Sequence, residues 1–170
     1  AQLEQMGIKC RIFNKFSPIF SIKMNNRDHR KILIIDGNIA FTGGINLADE
    51  YINRRLRFGH WKDSSIMLEG EAVWSFTVMF LTMWDFVYGK DEPDYYKFRP
   101  TVKMPDDGFA APFTDSPLDN EEVGRYTYLN VISKSSDYLY ITTPYLVLDN
   151  ETLNALVLAA RNGVDVRIIT

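Results

Sequence analysis

Two short apolar runs, Ile32-Leu33-Ile34-Ile35 and Ile39-Ala40-Phe41-Thr42, flank Asp36-Gly37-Asn38, and no other feature restricts the fold of this chain as much. Turn residues that accept positive φ, set between β-branched runs, specify a tight β-hairpin. The unbroken apolar run at 32–35 predicts a strand buried on both faces. With Gly37-Asn38 as a two-residue turn, His29 falls across from Asn46, and Lys31 across from Gly44. His29 and Lys31, two apart in an extended segment, share a face that Arg30 does not. The expected grouping is His, Lys and Asn side chains on one face, beside the Gly43-Gly44 pair, whose missing Cβ atoms let a ligand approach the backbone.

Around the hairpin, β-branched or aromatic runs predict strands at 8–13, 65–69, 138–143 and 164–169. Periodic tracts predict helices at about 47–57, 71–88, 120–135 and 150–161, with Asp149 or Asn150 as N-cap of the last. Strands alternating with helices give an α/β class, and the hairpin makes the sheet mixed. Gly7-Ile-Lys-Cys-Arg-Ile-Phe is echoed by Gly163-Val-Asp-Val-Arg-Ile-Ile, each copy following a helix-like tract, which for the first is Ala1 to Met6. A glycine there is the expected helix C-cap before a strand. An echo that opens and closes the chain predicts the end of one repeat joined to the start of another, so two incomplete lobes. Residues 89–108, rich in Asp, Pro, Lys and Tyr, read as a linker or mobile loop between lobes at 1–88 and 109–170.

A net charge of −3 argues against a dedicated duplex-DNA binder, though a phosphate pocket needs only a few cations. The single cysteine, Cys10, excludes an internal disulfide framework, and no cluster of metal ligands is visible. The most apolar stretch, 72–88, is shorter than a bilayer span and is interrupted by Asp85. In the aromatic tract from Trp74 to Phe98 the helical part reads first as core, with a membrane-surface role as the alternative, and the loop after it is left open between packing on that helix and the membrane surface. Arg54, Arg55 and Arg57 suit either anionic headgroups or an exposed helix end.

The chemistry of His29, Lys31 and Asn46 suits phosphoryl transfer. A neutral imidazole can attack phosphorus and carry the phosphoryl group covalently. An ammonium and an amide N–H₂ can neutralise the non-bridging oxygens. His29, Lys31, Asp36, Gly43, Gly44 and Asn46 together spell H-x-K-x4-D-x6-G-[G/S]-x-N. That pattern resembles the phospholipase D superfamily signature, and its Gly-Gly-Ile-Asn-Leu-Ala-Asp-Glu-Tyr-Ile continuation is similar to the first motif of bacterial cardiolipin synthases. Trp61-Lys62-Asp63, the tract at 68–73, and Thr143-Pro144-Tyr145 followed by Gly163 to Arg167 extend the resemblance over nearly the whole chain.

The resemblance implies a phospholipase D-like fold and transfer of a phosphatidyl group between two phosphatidylglycerols, giving cardiolipin and glycerol. It assigns His29 and Lys31 to catalysis, with Lys31, Gly43, Gly44 and Asn46 at the substrate phosphate. Asn46 could also cap a helix beginning near Leu47. Asp36 is structural, because an anion beside the phosphate would repel it. Asp63 is the candidate acceptor that orients the second ring nitrogen of His29, with Glu69 and Glu71 as alternatives. His60, beside Trp61, reads as a loop or interface residue. No cofactor and no metal are implied, and nucleic acid is not the expected partner. A nuclease or phosphodiesterase is the alternative within the superfamily. Sites of this kind pair two His-Lys motifs and this chain carries one, so it is expected to be soluble and inactive as a monomer. The partner motif would lie elsewhere in a membrane-associated parent or, in a dimer, on a second copy of His29.

Overall fold

The computed structural model describes residues 2–14, 28–57, 59–89, 94–105, 108–116 and 120–170. Its elements are α1 (Gln2–Gln5), β1 (Ile32–Ile35), β2 (Ile39–Gly43), β3 (Ser65–Glu69), α2 (Val73–Tyr88), a 3₁₀ turn (Tyr95–Phe98), α3 (Val123–Lys134), β4 (Tyr138–Thr142), α4 (Asn150–Arg161) and β5 (Asp165–Ile169). The chain divides into two units, Ala1–Phe113 and Thr114–Thr170. The expected single mixed sheet is two sheets: β1-β2-β3, antiparallel, in the first unit, and β4-β5, parallel, in the second.

In the first unit the hairpin forms where the β-branched runs predict it, but its register is shifted by one residue. Ile35 pairs with Ile39 and Ile32 with Thr42. Three residues therefore sit in the loop, with Asp36 (φ +52°) and Gly37 (φ +69°) both left-handed. Asn38 N–H donates to the Ile35 carbonyl at 3.0 Å. Asp and Gly tolerate this backbone, and the positive φ falls at 36–37 instead of 37–38. The expected pairing of His29 with Asn46 is thereby overturned, because a one-residue change moves every partner.

Nor is β1 buried on both faces. Ile32 and Ile34 pack with Ala40, Leu68 and Met79 around Val73 and Phe76 of α2. Leu33 and Ile35 point the other way and remain 57% and 41% exposed, and Met67 beside them is 54% exposed. One helix covers only one face of this sheet, so burial alternates with the side-chain period of two. α2 is held by its core face, where the buried Thr77 hydroxyl donates to the Val73 carbonyl at 3.1 Å.

Two expected elements do not form. The tract at 8–12 is not a strand, although Gly7 does cap α1 with φ +82°. Its echo at 165–169 forms β5 because β4 lies alongside it; residues 8–12 have no such strand among those described. Their side chains serve α2 instead: the Arg11 guanidinium lies 4.3 Å over the Tyr88 ring, and Phe13 packs on Phe86. The expected helix at 47–57 is a series of turns, with Asn53 left-handed at φ +58°. Its apolar residues Leu47, Ile52 and Leu56 are exposed, and a helix without a surface to bury its stripe gains little.

The stretch expected as a linker is tethered over 94–105, while 90–93 and 106–107, like Ala1, lie outside the described residues. Asn38 Oδ1, at the hairpin tip, accepts from Thr101 N at 2.7 Å, Thr101 Oγ1 at 3.3 Å and Val102 N at 3.1 Å. Tyr96 stacks on Trp74, with the Arg99 guanidinium over both rings, and Tyr95 donates its hydroxyl hydrogen to Asp85.

The second unit is a β-α-β crossover with α3 packed on it. Ile132, Leu156, Ala159 and Val164 make its core, lined by Leu139, Ile141 and Val166. Asp149 caps α4 by accepting from Thr152 N–H at 2.7 Å, and Gly163 closes that helix with φ +95°. Arg125 of α3 reaches Glu122, Asp149 and Glu151, tying α3 to the start of α4.

Candidate active site

His29 and Lys31 lie just before β1, with His29 exposed and the Lys31 ammonium donating to the His29 carbonyl oxygen. Asp28, which the sequence reading passed over, grips Arg30 in two ways. Its Oδ1 accepts from Arg30 N at 3.0 Å and Nε at 2.8 Å, and its Oδ2 from Nη2 at 2.9 Å. The Arg30 hydrogen bonds hold the Asp28 carboxyl below its ordinary range. Arg30 is thus turned to Asp28.

The registers place the other candidates. β2 pairs with β3 from Ile39–Glu69 to Gly43–Ser65, and Gly44 N–H donates to the Ser64 carbonyl at 3.4 Å. Residues 28–31 and 61–64 lie outside these strands, so the ladders begin three residues after His29 and two after Asp63.

Asp63 is fixed in place. Its Oδ2 accepts the Trp61 indole N–H at 3.0 Å, and its Oδ1 accepts Ser64 N–H at 2.8 Å. Its carboxylate occupies the space that Gly44 leaves: a Cβ there would stand 2.5 Å from Asp63 Oδ1. A Cβ on Gly43 would meet the Ser64 carbonyl oxygen at 2.4 Å. The glycine pair therefore already admits the chain's own residues 63–65. Asn46 follows at the start of the turns, its carbonyl accepting from Ala48 N–H at 3.0 Å; the helix it was expected to cap does not form. Asp36 stands at the exposed hairpin tip, at the far end of β1 from His29.

Asn53 is the residue sequence reasoning missed. Its Nδ2 donates to the Trp61 carbonyl at 2.9 Å, and its Oδ1 accepts Trp61 N–H at 2.7 Å. Tyr51 meets the Trp61 ring edge-on at 4.8 Å between centroids. A bond between residues eight apart across irregular turns has no periodic signature. Glu69 pairs with Ile39 near the hairpin tip, and Arg57 is paired to Glu50 at 3.3 Å. Among the described residues no three His, Cys, Asp or Glu side chains gather as metal ligands. Among them, too, no helix is long and apolar enough to cross a membrane.

Residues 128–170, within the second unit, match the family model described as cardiolipin synthase, phospholipase D-like domain. An uncharacterised protein of Streptococcus mutans serotype c is 51% identical over 99% of this chain and 36% of its own length. Cardiolipin synthase 2 of Staphylococcus epidermidis is 35% identical over 89% of this chain and 31% of its own. Cardiolipin synthase of Halalkalibacterium halodurans is 34% identical over 98% and 34%. No solved structure matches. The chain spans about a third of the length of these relatives, and within that span the similarity runs through both units and across the His29–Asn46 motif. The chain is similar to cardiolipin synthases along nearly its whole length, and its residues 128–170 match the phospholipase D-like domain of that family.

Proposed function

We propose that this chain carries one half of a phosphatidyltransferase site, in which His29 acts on the phosphodiester of phosphatidylglycerol. The observation that carries this reading is the spaced pattern of His29, Lys31, Asp36, Gly43, Gly44 and Asn46, with the Asp63 carboxylate seated against Gly44, on a chain whose relatives are named cardiolipin synthases. A His29 ring nitrogen attacks phosphorus, the bond to the headgroup glycerol oxygen breaks, and glycerol departs with a proton from a general acid. The hydroxyl of a second phosphatidylglycerol then attacks the phosphorus, its proton is taken up by that acid's conjugate base, and the phosphorus–nitrogen bond breaks to give cardiolipin. Lys31 and Asn46 neutralise the phosphate oxygens, and Asp63 orients the imidazole.

The only other histidine, His60, is exposed at the edge of the turns, so a second His-Lys motif must supply the acid. It comes from elsewhere in a longer, membrane-associated polypeptide or from a second copy in a dimer. The 170 residues as a monomer are therefore inactive. The test is to express the natural reading frame and supply phosphatidylglycerol vesicles, with single-stranded DNA in parallel. Cardiolipin and glycerol in equal amounts, abolished by His29→Ala, are expected. Nucleic-acid cleavage without cardiolipin would replace this reading with a nuclease.

A further inference from the structure

We infer that Asn53 and Trp61 are positioning residues for the site, locking the Asp63 carboxylate into the space left by Gly44. This deepens the proposed function and rests on its assignment of Asp63 to His29. Asp63 alone would be a poor orienting group: it is exposed and lies in the irregular segment before β3. Three contacts remove that freedom. The Trp61 indole N–H fixes Oδ2, and Ser64 N–H fixes Oδ1. The open side of Gly44 receives the group where any Cβ would collide with it.

Trp61 is in turn held by both hydrogen-bonding groups of the Asn53 amide, a two-point clamp on one residue's backbone. Asn53 makes that clamp from a left-handed backbone, which asparagine accepts better than most residues. Tyr51 closes on the ring edge. The chain of contacts is thus Asn53 to Trp61 backbone, Trp61 indole to Asp63, and Asp63 against Gly44. It ends at the carboxylate that the proposed function assigns to His29. A purely structural clamp would need only the backbone bonds; the indole bond to the Asp63 carboxylate is what ties this clamp to the site.

Two measurements test the inference. In the 170-residue chain, the Trp61 indole N–H resonance should move in Asp63→Asn and in Gly44→Ser; a resonance unchanged in both overturns the contact. In the product of the natural reading frame, turnover of bis(p-nitrophenyl) phosphate, a diester with a chromogenic leaving group, supplies the kinetic readout. Trp61→Phe, which keeps the ring and loses the donor, should lower kcat about tenfold with KM little changed, and Asn53→Ala should do the same. In an Asp63→Asn background both substitutions should add nothing, because they act through that carboxylate. Losses that multiply in the double variants overturn the inference while leaving Asp63 in place. Full activity in Asp63→Asn removes the assignment of Asp63 itself, and the inference with it.

Discussion

The two units solve the same problem in different ways. In the second, α3 and α4 close over the β4-β5 pair, and the core of Ile132, Leu156, Ala159 and Val164 is completed by residues of that unit alone. α4 is capped at both ends, by Asp149 and Gly163. In the first unit, α2 covers one face of a three-stranded sheet, and the opposite face, with Leu33, Ile35 and Met67, stays open. The segment from 44 to 64 has no repeating backbone ladder of its own. It is held by side chains that bond to backbone: Asn53 to Trp61 and Asp63 to Ser64. Regular packing builds the second unit, and individual polar clamps build the candidate site in the first. A site made this way can be reshaped without disturbing the sheet beneath it.

The largest effect should separate the two cores. Leu156→Ala should cost about 2–5 kcal/mol and Phe76→Ala about 3–5 kcal/mol, by urea unfolding. Amide exchange should place the first loss in α3, α4 and β5, and the second in β1, β2 and α2. Loss of protection in both units from either variant would break the comparison.

The open face is tested by neighbouring residues of one strand. Ile34→Ser, on the α2 side, should cost on the order of 2 kcal/mol, while Leu33→Ser should stay within about 0.5 kcal/mol. Equal losses would mean that both faces are packed.

Gly37→Ala should cost about 1–3 kcal/mol. The position has φ +69°, and a Cβ there would strike the Phe98 carbonyl oxygen. The variant should also release 94–105, seen as faster exchange at Thr101 N–H and Val102 N–H.

The smallest effect is the pH response of the α4 cap. The N–H of Thr152, and then Arg125, hold the Asp149 carboxyl below its usual value of 3.8. A lowered folded value means the cap contributes in full above that usual value and is lost as pH falls through the lower one. The far-UV helical signal of wild type should therefore drop in that acid window. Asp149→Asn, which still caps but does not titrate, should flatten that part of the response.

The sequence by itself determined the local elements. β-Branched or aromatic runs, turn residues, capping residues and the helix-glycine-strand order gave β1 to β5, α2 to α4 and both glycine stops, because each depends on a few adjacent residues. It also located the H-x-K-x4-D pattern and the family resemblance, which the relatives bear out. The tertiary structure alone decided what depends on partners distant in the chain. Whether 8–12 became a strand rested on a neighbouring strand, and whether 47–57 became a helix rested on a surface to bury its stripe. The hairpin register turned on which two residues took left-handed backbone, a choice open to Asp36, Gly37 and Asn38 alike. That one-residue choice moves Asn46 out from opposite His29. The clamp of Asn53 on Trp61 is likewise a tertiary fact, made by side chains whose spacing follows no secondary-structure period.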